Sequence, residues 1–284
     1  MGGNKSINSK TCACRSGSRY DRQVLFYPIG KAGQDRLAAG SVTIIGCGGL
    51  GSVSASNLAR VGIGSLRLVD RDEVDFSNLG RQVLYDEVDA SQNRPKALAA
   101  KQKLSLINSG ISVEAFNEEI NPVNIGKFIE GADLVIDGSD NLQTRFIINE
   151  ACVNKKIPWI YGSVAASYGM AASIIPGKTP CFSCIFGPSA TKYNIYSESS
   201  ANAGILNTAV NVIASVQCTE AIKYLTGNID AVIRGLIIFD IWELSLEIVS
   251  TEEGKGRAAC PVCGYNAADS MLRTQRKFGP GSVS

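Results

Sequence analysis

Short apolar, β-branched runs alternate with stretches that carry apolar residues at helical spacing. Residues 41–46 (SVTIIG) read as a buried parallel strand, residues 53–61 as a helix of small and apolar side chains, and residues 65–70 (SLRLVD) as a second strand. Together they make a βαβ unit. The rhythm continues: residues 96–108 form a helix opened by Pro95, residues 112–117 a strand, and Asn121-Pro122 opens a short helix toward Glu130. Residues 133–137 (DLVID) are a further buried strand, 141–155 a helix and 157–161 a strand. This alternation predicts an α/β fold, Rossmann-like, with a mostly parallel sheet and helices on both faces.

From Gly169 the pattern changes. Residues 170–176, 235–240 and 244–249 read as strands without helices of the same rhythm between them, which predicts an antiparallel C-terminal extension of the sheet. A polar stretch (187–202) and an apolar helix from about 204 to 225 interrupt them. The expected organisation is a flexible N-terminal arm (1–18), a single domain (19–264) and a polar tail (265–284). There is no internal repeat.

Composition narrows the chemistry. With 284 residues, 45% of them hydrophobic, the chain can bury one large core or two modest ones. A net charge of +2 argues against nucleic acid or a membrane surface as the main partner, and no apolar run approaches the ~20 residues that span a bilayer. The N-terminus lacks the apolar core of a secretory signal. No histidine is present, which excludes Ser-His-Asp and Cys-His machinery and leaves thiolates and oxygens as metal ligands.

The nine cysteines are not arranged as a small disulfide scaffold, and a reducing cytoplasm is the simplest setting. Cys152 and Cys218 sit in apolar helical stretches and read as core, Cys47 lies in a glycine loop, and Cys12 and Cys14 lie in the arm. The remaining four form two Cys-x-x-Cys pairs, Cys181/Cys184 and Cys260/Cys263. Two intervening residues let both sulfurs of a pair face one metal, so four thiolates predict a closed, structural Zn2+ site that staples the C-terminal end to the sheet extension. Two redox-active pairs are the alternative.

Gly46, Gly48 and Gly51 satisfy G-x-G-x-x-G between a predicted strand and a predicted helix, with Gly49 beside them. Such a loop gives a tight turn, close backbone approach to phosphate and a helix N-terminus for anions. Asp70 follows at the offset of a ribose-binding acid. On this loop alone a NAD-dependent oxidoreductase fits, as does a purely structural turn. Downstream, Asp72, Ser77, Asn78, Arg81 and Lys96 precede Asp137-Gly-Ser-Asp140-Asn141. Arg81 and Lys96 suit a triphosphate better than a neutral nicotinamide, and Asp140 suits Mg2+ on phosphates. Each charge taken singly is equally a solvated loop residue, and Asp140 and Asn141 would also cap a helix.

RYDRQVLF from Arg19, GCGGLG, D-x-D, SNLGRQ, RPK, DGSDN, IPWIYG, PGKTPCFSC and CPVC occur in an order that resembles the ThiF/MoeB/HesA family, bacterial relatives of ubiquitin-activating enzymes. The resemblance runs from about Arg19 to Gly264. It implies a nucleotidyltransferase that uses ATP and Mg2+ to adenylate the C-terminal Gly-Gly carboxylate of a small ubiquitin-like sulfur carrier, feeding thiocarboxylate formation for thiamine or molybdopterin. By motif match, Gly49 and the loop amides face ATP, Asp70 bonds the ribose, and Asn78, Arg81 and Lys96 meet phosphates with Ser77 lining the same site. Asp140 holds Mg2+ beside Asn141, and Arg22 reaches the ATP of a neighbouring subunit, implying a homodimer.

Two departures stand out. Gly80 replaces the family's usual Gln, and Ser200 falls where ThiF-like members carry a cysteine able to form a covalent link to the carrier. A serine without a base is a poor substitute for a thiolate. The expectation is therefore an enzyme that stops at the adenylate or passes it to a separate sulfur donor. A microcin-type relative that adenylates a short peptide is the alternative.

Overall fold

The computed structural model describes residues 17–187, 204–251 and 260–264. Its β-branched runs form parallel strands β1 (Ser41–Ile45), β2 (Ser65–Val69), β3 (Ser112–Phe116), β4 (Leu134–Asp137) and β5 (Trp159–Ala165). Antiparallel β6 (Tyr168–Ile174), β7 (Leu236–Asp240) and β8 (Ser245–Val249) extend them. One sheet results, in the order β3-β2-β1-β4-β5-β6-β7-β8.

The helices are α1 (Asp21–Val24), α2 (Gly30–Ala39), α3 (Gly49–Val61), α4 (Glu87–Ser91), α5 (Lys96–Ile107), α6 (Ile125–Ile129), α7 (Leu142–Lys155), α8 (Phe182–Phe186) and a long helix, α9 (Asn207–Leu225). They bury both faces of the central strands, while the edge strands β3 and β8 stay half-buried or exposed. Val42, Ile44, Leu66, Leu68 and Ile136 pack with residues of α2, α3, α5 and α9. Ile45, Val135, Trp159 and Tyr161 pack with α6, α7 and α8. Strands covered on both sides read as continuous apolar runs, which is the pattern in the sequence.

The strand order reverses between β1 and β4, and their register pairs Ile45 with Asp137. The loops leaving these two strands therefore emerge side by side at the carboxyl edge, the switch point where open α/β sheets hold ligands.

Local departures from the sequence expectation have physical causes. Helix α3 begins at Gly49, inside the glycine loop, with Gly48 as its N-cap. The expected helix after Asn121 shrinks to Ile125–Ile129 because the Asn121 side chain accepts the Val123 and Asn124 amides and forms a turn. β5 continues to Ala165 and meets β6 in a hairpin with Ala166 at φ 52°. Helix α9 starts at Asn207 because Ile205 bridges Ala166 and the Leu206 amide donates to its carbonyl at 3.0 Å. Cys12, Cys14, Ser200, most of the expected arm and the tail lie outside the described residues.

Candidate active site

The glycine loop packs backbone against backbone. Gly46 has φ 89°, and a Cβ there would stand 2.5 Å from the Gly138 carbonyl oxygen; one on Gly51 would stand 1.8 Å from the Gly46 oxygen. Neither position tolerates a side chain. Gly48 is different: a Cβ would meet only the Gln82 amide, at 3.8 Å, so the backbone lies open to the cleft. The thirteen-residue helix α3 then points its N-terminus into the same space, and its first amides have no partner within the helix. Cys47 is buried, and burial pushes its thiol well up, so the loop presents amides rather than a thiolate.

This loop is one wall of a cleft of about 790 Å³, within the usual range for small-ligand sites. Beside the loop, Asp70 directly follows β2. Its Oδ2 accepts from the Cys47 amide at 2.5 Å and its Oδ1 from the Asp72 amide at 2.7 Å. Burial raises its pKa, and these two amides oppose the rise. Lys96 opens α5 with only 6% of its surface exposed, and its Nζ lies 3.0 Å from Asp72 Oδ2. Asn78 and Arg81 line the same wall, with Arg81 Nη1 donating to the Ser77 carbonyl at 3.1 Å. Across the cleft, Asp140 is exposed, and Asn141 caps α7 by accepting the Thr144 amide at 2.9 Å.

Gly46, Gly48, Gly49, Asp70, Asp72, Asn78, Arg81, Lys96, Asp140 and Asn141 thus line one cleft. Three other sequence candidates lie outside the lining. Gly51 acts in packing. Ser77 donates its amide to Asp75 Oδ1, two residues before it, at 2.8 Å. Arg22 sits exposed on α1. The cleft also contains residues that the sequence pattern does not single out: Arg71, Gln82, Glu119, Arg145 and Ser163. Gln82 is buried with an unpartnered Oε1, and its sequence signal is its place at the end of SNLGRQ. Arg145 reads in sequence as an ordinary helical arginine.

The two cysteine pairs meet on the far side of the sheet extension. Cys181 Sγ lies 3.8 Å from both Cys184 Sγ and Cys260 Sγ, and Cys184 Sγ lies 3.6 Å from Cys263 Sγ. The four sulfurs are within 4.8 Å of one another and could hold a metal ion. Helix α8 carries the first pair, and its Phe182 is fixed among Phe146, Trp159, Tyr161 and Phe186.

Comparison with known proteins gives a consistent picture. The model of the ThiF family matches residues 20–262. The chain is 40% identical over 247 residues to the sulfur carrier protein ThiS adenylyltransferase of Bacillus subtilis, covering 87% of this chain and 71% of that protein. It is 33% identical to the SAMP-activating enzyme E1 of Haloferax volcanii, over 89% of this chain and 91% of the relative. Among solved structures, E. coli MccB with ATP superposes with a TM-score of 0.75 at 27% identity, over 88% of this chain and 75% of that one.

Proposed function

The chain belongs to the ThiF family, and on that premise we propose that it is an adenylyltransferase that activates the C-terminal glycine carboxylate of a small ubiquitin-like sulfur carrier with ATP·Mg2+. One observation carries this reading: a single cleft at the switch point combines a glycine-loop anion cradle, the cations Arg81 and Lys96 and the exposed carboxylate of Asp140. The triphosphate lies over the loop amides and the α3 N-terminus, with Lys96, Arg81 and Asn78 on its phosphates. Asp70 bonds the ribose, Asp72 orients Lys96, and Asp140 beside Asn141 holds Mg2+ through hard oxygen ligands.

The carrier's carboxylate is ionised near neutral pH, so it attacks the α-phosphorus without a general base. A carboxylate–phosphorus bond forms, the α–β anhydride breaks, and pyrophosphate leaves with the bonding electrons. Catalysis is positioning and charge neutralisation, which a chain with no histidine can supply. The same cations make hydride transfer with NAD the poorer account of the cleft.

Arg22, exposed on α1, reaches the ATP of a second copy, so the working unit is a homodimer. With Ser200 in place of a thiol, the enzyme stops at the adenylate or hands it to a separate sulfur donor; intact mass measured with ATP and carrier then shows no thiol-labile adduct. The product supplies thiocarboxylate for thiamine or molybdopterin-type synthesis. ATP–pyrophosphate exchange tests the whole reading: exchange dependent on a Gly-Gly carrier supports it, and ATP binding without exchange for any carrier or peptide overturns it. The structural likeness to MccB at 28% identity favours a second reading, in which a short peptide carboxylate is adenylated.

The cysteine cluster holds structural Zn2+. Tetrahedral zinc with Zn–S bonds of ~2.3 Å places sulfurs ~3.8 Å apart, and the three separations of 3.6 to 3.8 Å fit. The domain spans 19–264, between the arm (1–18) and the tail (265–284). Among the described residues no helix is long and apolar enough to cross a membrane, and a cytoplasmic site of action suits the free thiols.

A further inference from the structure

Arg145 lines the cleft, yet only 2% of its surface is exposed. From the first turn of α7 its Nε donates to Asp137 Oδ2 at 3.0 Å. Its Nη2 donates to the Ser139 carbonyl at 2.7 Å and to the Gly162 carbonyl at 3.1 Å, and its guanidinium lies 5.2 Å from the Tyr161 ring centre. The other oxygen of Asp137 accepts both the Ser139 amide, at 2.9 Å, and the Ser139 hydroxyl, at 2.5 Å. Gln217 of α9 holds the Asp137 carbonyl from behind at 2.8 Å.

These bonds converge on one short loop. Residues 138–141 connect β4 to α7; their first half is gripped by Arg145 and Asp137, and their second half, Asp140 and Asn141, faces the cleft. The gripped half also touches the glycine loop, where a Cβ on Gly138 would stand 2.4 Å from the Gly46 oxygen. Whatever fixes residue 139 therefore fixes the distance between the anion cradle and the Asp140 carboxylate. A buried ion pair such as Asp137–Arg145 is weak evidence for stability, because desolvation offsets much of its attraction. What a planar fork with several fixed acceptors supplies is geometry.

We propose that Arg145 is a positioning residue for adenylation: it acts through the loop of residues 138–141 to set Asp140 against the cation carried by ATP. The proposal rests on the adenylyltransferase reading. Arg145 itself stays bonded to protein oxygens and touches no substrate. Outer-shell partners of a metal ligand commonly change metal affinity by roughly 10–100-fold when altered, and a shift of that size is expected here.

The test is a Mg2+ titration of ATP binding, followed with a fluorescent ATP analogue, in the wild type, Arg145→Lys, Asp140→Asn and the double variant. Arg145→Lys keeps the charge and loses the fork. The expected result is a Mg2+ midpoint raised by roughly tenfold or more, with affinity for metal-free nucleotide within about twofold of wild type. In the Asp140→Asn background the same lysine substitution is expected to add nothing further, which a merely structural role would not produce. If Arg145→Lys does not fold, the neutral pair Asp137→Asn with Arg145→Gln takes its place. An unchanged Mg2+ midpoint, an equal loss of metal-free affinity, or effects that add across the two sites would each overturn the proposal. Pyrophosphate exchange by the wild type keeps the two ideas apart. Exchange with an unmoved midpoint defeats only the positioning role; a wild type that binds no ATP·Mg2+ defeats both.

Discussion

Lys96 and Asp72 are paired across the cleft wall at 3.0 Å, with the lysine side chain 8% exposed and the aspartate 51% exposed. The asymmetry points the cation inward, with a partner that water can still reach. An ammonium held this way is preorganised for phosphate, and Asp72 remains solvated if the lysine turns to a ligand. Lys96→Met keeps the volume and strands only a solvated carboxylate, so thermal stability is expected to change little. Pyrophosphate exchange is expected to fall by about 10²–10³-fold, as for loss of one preorganised charge-stabilising donor. Exchange within tenfold of wild type would remove Lys96 from the phosphate site.

Asp70 gives the site a pH dependence with a defined sign. Burial raises its pKa above the ordinary carboxylate value of about 3.9, against the pull of the Cys47 and Asp72 amides. A ribose hydroxyl is best accepted by the ionised form. ATP affinity is therefore expected to fall as pH drops through a window above the usual carboxylate range. Folding stability runs the other way: with a raised folded pKa, this group's contribution is complete below its unfolded pKa and is lost as pH rises through the folded one. The check is ATP affinity against pH for wild type and Asp70→Asn. Titration of the nucleotide's own phosphates is common to both proteins, and an acid limb that persists unchanged in the variant would exclude Asp70.

The fold was legible because its central strands β1, β4, β5 and β6 are covered on both faces and their apolar runs advertise it. The lining of the cleft was legible too, since most of the glycines and charged residues picked out by their offsets come together there. What sequence could not show was role by direction. Ser77 shares a segment with Asn78 and Arg81, yet its amide caps toward Asp75 and the residue lies outside the cleft lining. Arg145 is spaced like a solvated helical arginine, and only the fold reveals that β4 and β5 bring three acceptors to it. The four-residue α1 and five-residue α4 and α8 are too short for helical periodicity to register.

Removing metal from the cysteine cluster is expected to loosen one face of the core rather than the cleft alone. Cys181 caps α8, whose Phe182 is packed against Trp159 and Tyr161. Fresh protein should contain about one zinc per chain. Cys263→Ser, or chelation, should lower Tm by roughly 10 °C, corresponding to a few kcal/mol for a domain of this size. It should also weaken the near-ultraviolet circular dichroism of the aromatic cluster. Zinc-free protein with an unchanged Tm and aromatic signal would defeat the structural role.

Gly138 in the cleft and Gly80 just outside its lining separate packing from freedom. Gly138→Ala places a Cβ 2.4 Å from the Gly46 oxygen and 2.9 Å from Gly51 Cα, all backbone, so the two loops must part. A loss of about 1–3 kcal/mol in denaturant unfolding is expected, with weaker ATP binding. Gly80→Gln restores the residue usual in the family at a position with nothing within 4 Å of a new Cβ. Its stability should stay within about 0.5 kcal/mol of wild type. Equal cost at the two positions would contradict the contact geometry.

Arg22 distinguishes a one-chain site from a shared one. It is exposed on α1 and outside the lining of its own cleft. If it serves the ATP of a second copy, Arg22→Ala and Lys96→Met are each nearly inactive alone but complement when mixed. A mixed dimer holds one site with both residues intact and one with neither. Random exchange makes about half of the dimers mixed, so about a quarter of wild-type activity is expected to return. Mixing at equal concentrations after brief partial dissociation, with pyrophosphate exchange as the assay, reads this directly. Subunits that exchange, as native mass spectrometry can establish with a tagged copy, and yet recover no activity would confine Arg22 to its own chain.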